Sequence, residues 1–461
     1  MKRNISKKFV ALAAIITFLN LIIIPTFNAS TEKNDFKTSY DLLIISPKKF
    51  ARILKPLVNH KNDHGVRTIL NTTEEIYAKF EGRDKAEQVK YFIKYAIESF
   101  GIKYVLLVGG RKGQSATEDW WVPVRYSYLD RPYGKYAEGK FLSDLYFADI
   151  YDKNGNFSSW NNNNNNMYGE WPINETATDI PDLYPDVYLG RLPCRNANQV
   201  RTTVRKIIKY ESGKSPDSWF KNMVVVAGDT YPRTPYYDGE VYTQAALDMM
   251  TDFRPIKLWT SDHSFKNWMD VAKAINKGCG FIYLSGHGNP TLWGTRNTPE
   301  DNSTWVYGPK LRNMPFIING KKLPVCIVGS GCFNSMFNVS LGKSPWVYGY
   351  TIPLCWSEAL TYKIDGGCIA VIGSTAFSYE SPDINTGVGG IERLDINFFR
   401  EYGINKVDIL GEAWGKTVTS FIDNYTINWS DNTTKGSALI AKNAEMWLLM
   451  GDPSLKIGGY A

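Results

Sequence analysis

The stretch Phe281-Ile-Tyr-Leu-Ser-Gly-His287-Gly288-Asn289, with Val325-Cys-Ile-Val-Gly-Ser-Gly-Cys332-Phe-Asn334 further along, decides how this chain is read. Each is a short apolar run closed by glycine, the pattern of a buried parallel strand reaching its carboxyl end. Open α/β sheets place their active sites at such ends. One turn presents an imidazole and the other a thiol. On neighbouring strand ends these two can act as proton-transfer partner and nucleophile. The plain alternative is two packed residues at strand ends.

Outward from these turns, a strand and helix rhythm fills the chain. Strands are predicted at 42–45, 66–70, 104–108 and 187–191, and helices at 50–61, 86–100 and 197–210. In the second of these helices Val89, Phe92, Ile93, Ala96 and Ile97 share one face, and Gly101 ends it. Residues 111–182 are irregular, and the asparagine tract 161–166 reads as a polar surface loop. Ser212-Gly-Lys-Ser-Pro216 is the expected boundary. Beyond it come strands at 223–227, 256–259 and 368–372, helices at 241–250, 268–276 and 438–450, and a long polar insertion at 289–324. Strands separated by helices imply mostly parallel sheets with right-handed crossovers. The expectation is an α/β protein with two subdomains, 40–212 and 219–457.

The bulk numbers narrow the class. With 461 residues, 43% hydrophobic and 21% charged, the chain is long and apolar enough for a large core. Its formal charge is +7, of which Lys2, Arg3, Lys7 and Lys8 supply four; the remaining +3 or so does not argue for nucleic acid. Those basic residues open an export signal over residues 1–31, with an apolar stretch from Phe9 to Leu19, Pro25, and a small polar run at Asn28-Ala-Ser-Thr31. The body of the protein is therefore expected outside the cytoplasm, secreted or on the surface, with membrane attachment only if that segment is retained. Of six cysteines, Cys279, Cys326 and Cys368 lie in or beside apolar strands and read as buried thiols. No zinc spacing is present, and no disulfide framework is expected.

With the glycine turns on the page, the chain resembles the caspase-like cysteine peptidases, and more narrowly the gingipain family, peptidase family C25. The matching blocks are Tyr40 to Pro47, Lys103 to Gly109, Asp186-Val-Tyr-Leu-Gly-Arg191, Leu284-Ser-Gly-His-Gly288, Val325 to Cys332, Trp356-Ser-Glu-Ala359, Ile372-Gly-Ser-Thr375 and Met450-Gly-Asp-Pro-Ser-Leu455. They follow the family's order and span most of the chain. The resemblance implies a caspase-like three-layer sandwich and endopeptidase chemistry on protein or peptide substrates, by a monomer that needs no cofactor for the reaction. Cys332 would form the acyl-enzyme and His287 would deliver a proton to the leaving amine. The N–H groups of Gly288 and Cys332 would hold the oxyanion. Asp186, shorter than the family's glutamate, would orient the imidazole; otherwise it is a turn carboxylate paired with Arg191.

The same resemblance implies a basic P1 residue, Lys or Arg. Asp383 falls on the pocket acid of the Lys-specific member, with Tyr379, Ser285 and Ser330 as pocket walls; Asp383 could equally be an ordinary loop acid. A family tryptophan of the pocket wall is Glu380 here. Asp144, Asp149, Asp152, Asn154 and Asn156 form an acidic stretch of the kind that can hold structural calcium. His60 and His64 have the spacing of a zinc pair but no third ligand, and read as solvated. The rival reading is a non-catalytic cell-surface binding protein on the same scaffold.

Overall fold

Runs of Val, Ile and Leu become the strands of two sheets in the computed structural model, which describes residues 39–131, 138–231, 236–300, 302–342, 351–381 and 389–461. The export segment 1–31 lies outside the described residues. Strands β1 (Leu42–Ser46), β2 (Thr68–Thr72), β3 (Tyr104–Val108) and β4 (Tyr188–Leu192) make an all-parallel sheet in the order β2-β1-β3-β4. Strands β5 (Asn222–Ala227), β6 (Arg254–Trp259), β7 (Phe281–Leu284), β8 (Val325–Val328), β9 (Ala370–Ser374) and β10 (Trp447–Met450) make the second, in the order β10-β9-β8-β7-β5-β6. Only β10 runs antiparallel to its neighbour.

The two-residue period of a strand sorts the second sheet's side chains between two cores. Val225, Tyr283, Ile327 and Ile372 point into the core shared with the first sheet, under the helices Asp238–Met249 and Ile391–Gly403. Val224, Val226, Ile282, Cys326 and Val371 point the other way, onto the helix Trp268–Lys277 and Trp356. Buried on both faces, these strands tolerate no polar alternation, which is why they read as continuous apolar runs.

The sheets meet where β4 passes the turn after β10. A Cβ at Gly190 would collide with the Gly451 carbonyl oxygen and crowd Pro453, so this crossing needs a residue without a side chain. A buried ionic knot lies nearby. The Lys61 ammonium, fully buried, bonds Glu211 and Asp452 at 2.9 Å each. His60 joins Glu211 at 3.1 Å, and His64 stacks on Tyr460 with ring centroids 4.3 Å apart.

That knot corrects the solvated reading of His60, which is buried because Glu211 needs donors inside the protein. Two other expectations change. The helix predicted over 438–450 is the helix Gly436–Met446 followed by β10, since an apolar run alone does not distinguish buried helix from buried strand. At the start of the polar insertion 289–324, His287–Asn289, Leu292–Arg296 and Trp305–Tyr307 form an antiparallel ribbon. Arg191 pairs with Asp144 at 2.5 Å, not with Asp186. That pairing takes one carboxylate of the acidic stretch, and the Trp160 indole donates to Asp149 at 2.9 Å. No group of three or more His, Cys, Asp or Glu suited to a metal occurs among the described residues. All six cysteines are free thiols, and only Cys332 is not buried.

Candidate active site

β7 and β8 are adjacent and parallel, with Ile282 opposite Cys326 and Tyr283 opposite Ile327. Their carboxyl ends therefore deliver the histidine turn and the cysteine turn side by side. The turns touch: a Cβ on Gly288 would stand 2.8 Å from the Gly331 carbonyl carbon, so a larger residue would wedge them apart. Asn334 clamps the pair, its amide donating to the carbonyls of Asn289 at 2.7 Å and Leu292 at 2.9 Å. Ser330 adds a second cross-link. Its hydroxyl accepts from the Gly286 N–H at 3.3 Å and donates to the Leu284 carbonyl at 3.4 Å.

His287 is half-buried, and its Nε2 lies 2.7 Å from the Thr230 carbonyl oxygen. A carbonyl only accepts, so Nε2 carries the hydrogen and Nδ1 keeps a lone pair. Burial lowers the imidazole pKa; the Thr230 bond raises it in part, and Arg296 lowers it further. The half-buried Cys332 thiol lies 3.3 Å from the Ser378 hydroxyl. Burial raises its pKa against the hydrogen bonds from Ser378. Both groups are therefore neutral at rest near pH 7. The Cys332 N–H has no backbone or side-chain acceptor among the described residues. Phe333, next in sequence, sits at φ 60°, a left-handed conformation that costs a non-glycine residue about 1 kcal/mol and turns the chain sharply after the thiol.

Asp186 lies elsewhere. It precedes β4, and its carboxylate accepts from the N–H groups of Ile150 at 2.6 Å and Tyr151 at 2.9 Å. No hydrogen bond joins it to His287 among the described residues. Ser285 is fully buried, its N–H donating to the Val226 carbonyl. Tyr379 is buried too, its hydroxyl donating to the Arg131 carbonyl at 3.1 Å. Asp383 is outside the described residues.

Four carboxylates that sequence reading does not bring together lie behind the two turns. Asp238 accepts from the Thr230 N–H at 2.6 Å, steadying the residue that holds His287. Asp395 accepts from the Ser330 N–H at 3.3 Å and from the Trp447 indole at 3.1 Å, and burial pushes it up to about 8. Glu392 accepts from the Ser381 N–H at 3.1 Å, and burial pushes it up to about 7. Glu380 is 8% exposed, and neither carboxylate oxygen has a hydrogen-bond partner among the described residues. Burial, then Asp238, Glu392 and Cys332, raise its pKa well above the usual range.

The profile of peptidase family C25 matches residues 36–458. The chain belongs to peptidase family C25. Among its curated relatives is gingipain R2 of Porphyromonas gingivalis, 23% identical over 90% of this chain and 46% of the relative. Lys-gingipain HG66 of the same organism is 22% identical over 62% of this chain and 16% of the relative. The chain thus spans less than half the length of these C25 relatives. The crystal structure of the Arg-specific cysteine proteinase gingipain R superposes with a TM-score of 0.62 at 19% identity, covering 91% of this chain and 78% of that one. At that identity the likeness speaks for the fold, which is the caspase-like α/β arrangement expected of a C25 member.

Proposed function

We propose that this protein is a cysteine endopeptidase in which Cys332 attacks the scissile carbonyl and His287 moves the protons. The supporting observation is the contact of two glycine turns on adjacent parallel strands, one bearing a thiol and the other an imidazole whose Nε2 is tied to Thr230. As substrate settles, Nδ1 takes the thiol proton and the thiolate adds to the carbonyl carbon. The oxyanion meets the N–H groups of Cys332 and Gly288. When the tetrahedral intermediate collapses, Nδ1–H gives its proton to the leaving amine, and a thioester remains. Water, deprotonated by Nδ1, then releases the acid and restores the thiol. The Thr230 carbonyl takes the orienting role first expected of Asp186.

We assign a basic P1 residue on the strength of Glu380. Burial and the neighbouring acids disfavour the ionised form of Glu380 while it has no partner among the described residues, and a cation brought beside it restores the carboxylate and pairs with it. A lysine or arginine side chain entering next to Cys332 supplies such a cation. Asp383 is then a second acid for the same pocket rather than its sole determinant. Two subdomains, 40–212 and 219–457, and export directed by residues 1–31 complete the reading; among the described residues no helix is long and apolar enough to cross a membrane.

Labelling with a peptidyl electrophile carrying Lys or Arg at P1 tests this. A covalent adduct on Cys332 in the wild type, absent from Cys332→Ala, is the expected outcome. An unlabelled wild type removes the peptidase reading and favours a binding protein.

A further inference from the structure

The ribbon that follows the histidine turn has two faces of opposite character. Strand periodicity sends Trp293 and Val306 inward, where Trp293 is fully buried in the second core. It sends His287, Arg296, Trp305 and Tyr307 outward. In register, His287 stands opposite Gly294, which stands opposite Tyr307, while Arg296 stands opposite Trp305. Trp305 is 40% exposed and meets the imidazole edge-on, with ring centroids 5.3 Å apart. Tyr231, 37% exposed, meets it edge-on from the Thr230 side at 5.7 Å. The imidazole thus lies between two exposed aromatic rings. Two part-exposed aromatic rings flanking the imidazole offer a contact surface to a ligand that reaches it.

The reaction fixes which part of a substrate reaches them. Nε2 is held by Thr230, so the leaving nitrogen must come to Nδ1, on the ring flanked by Trp305 and Tyr231. The P1 side chain departs from the carbonyl on the other side, toward Ser378 and Glu380. We propose that Trp305 and Tyr231 form the subsite for the residue after the scissile bond, and that it takes a large apolar or aromatic P1′ side chain. This inference rests on the peptidase reading above. The guanidinium of Arg296 lies 4.1 Å from the Trp305 ring centroid, and the Lys310 ammonium lies 3.7 Å from that of Tyr307. These cations make the same surface repel a basic P1′ residue. The enzyme would read opposite chemistry on the two sides of the bond: a cation before it, an uncharged bulky residue after it.

The test uses internally quenched peptides that share one basic P1 and differ at P1′ as Gly, Leu, Phe or Lys. The expected kcat/KM is about tenfold higher for Phe and Leu than for Gly, with Lys lowest, in keeping with the contact area of one aromatic side chain. Trp305→Ala should shrink the Phe-to-Gly ratio to near one, and Trp305→Phe should restore most of it. Partitioning of the acyl-enzyme between phenylalaninamide and glycinamide reads the same subsite without the P1 side, because each amine attacks the thioester and expels the Cys332 thiolate. A wild type that labels at Cys332 but shows a flat P1′ series overturns the subsite alone. So does a preference that survives the joint Trp305→Ala and Tyr231→Ala change. A wild type that neither labels nor cleaves overturns the peptidase reading, and the subsite falls with it.

Discussion

His287 donates through Nε2 to the Thr230 carbonyl at 2.7 Å, and this one bond decides which nitrogen is left for chemistry. A backbone carbonyl cannot ionise, so it orients the ring without adding charge to it. The bond still favours the protonated ring in part, against burial and Arg296, which disfavour it.

Thr230 is in turn held by Asp238, which accepts its N–H at 2.6 Å and that of Gly239 at 2.9 Å. Asp238→Ala is expected to lower kcat by about 10- to 100-fold with a much smaller change in KM, as for other residues that position a reacting group. Asp238→Asn, which keeps one acceptor, should lose less. Steady-state kinetics check this; an undiminished kcat in the alanine variant takes Asp238 out of the positioning chain.

The acid limb of kcat/KM reports protonation of the free imidazole. Burial and Arg296 both disfavour imidazolium, so this limb should lie below that of an ordinary histidine. Arg296→Gln removes a like charge, the imidazole pKa rises, and the limb should move to higher pH. High salt should weaken the difference between variant and wild type. A limb that moves downward contradicts the assignment.

Glu380→Gln is expected to cut kcat/KM for a P1 lysine substrate by about 100-fold, the usual scale for losing one partner of a desolvated charge pair. Its lead over a norleucine substrate should narrow in proportion. If the lead is untouched, the cation is read elsewhere, with Asp383 the next residue to exchange.

Stability should respond most to Lys61. Lys61→Met strands Glu211 and Asp452 in the interior, where they now share one ammonium. The expected cost is about 3–5 kcal/mol in urea unfolding. A loss below about 1 kcal/mol would mean that water reaches the knot.

Much of this architecture is legible in advance because buried parallel strands have a strong signature. Unbroken apolar runs are visible in Met223-Val-Val-Val-Ala227 and Val325-Cys-Ile-Val328, and both are central strands. The glycines around His287 and before Cys332 mark the turns for a related reason: close approach leaves no room for a side chain. Trp447-Leu-Leu-Met450 misleads because its apolar residues suit either period, and only pairing with β9 makes it a strand. The role of Thr230 is invisible, since a backbone carbonyl leaves no trace in residue type. The convergence of Asp238, Glu380, Glu392 and Asp395 is equally hidden, because it depends on how two distant helices and a loop pack beneath the sheet. Sequence does flag Glu380 as a departure from the family, without its environment. The helices Ile391–Gly403 and Leu410–Asn424 also escape sequence reading, their apolar stripes interrupted by charged residues, several of which the fold buries.

The Trp447 indole reaches Asp395, and Asp395 in turn holds the Ser330 N–H two residues before Cys332. A ribosome delivers residue 447 long after it has delivered the thiol and the imidazole. Until that indole arrives, the loop lacks one of its anchors, so the growing polypeptide carries both reactive groups without the finished cradle.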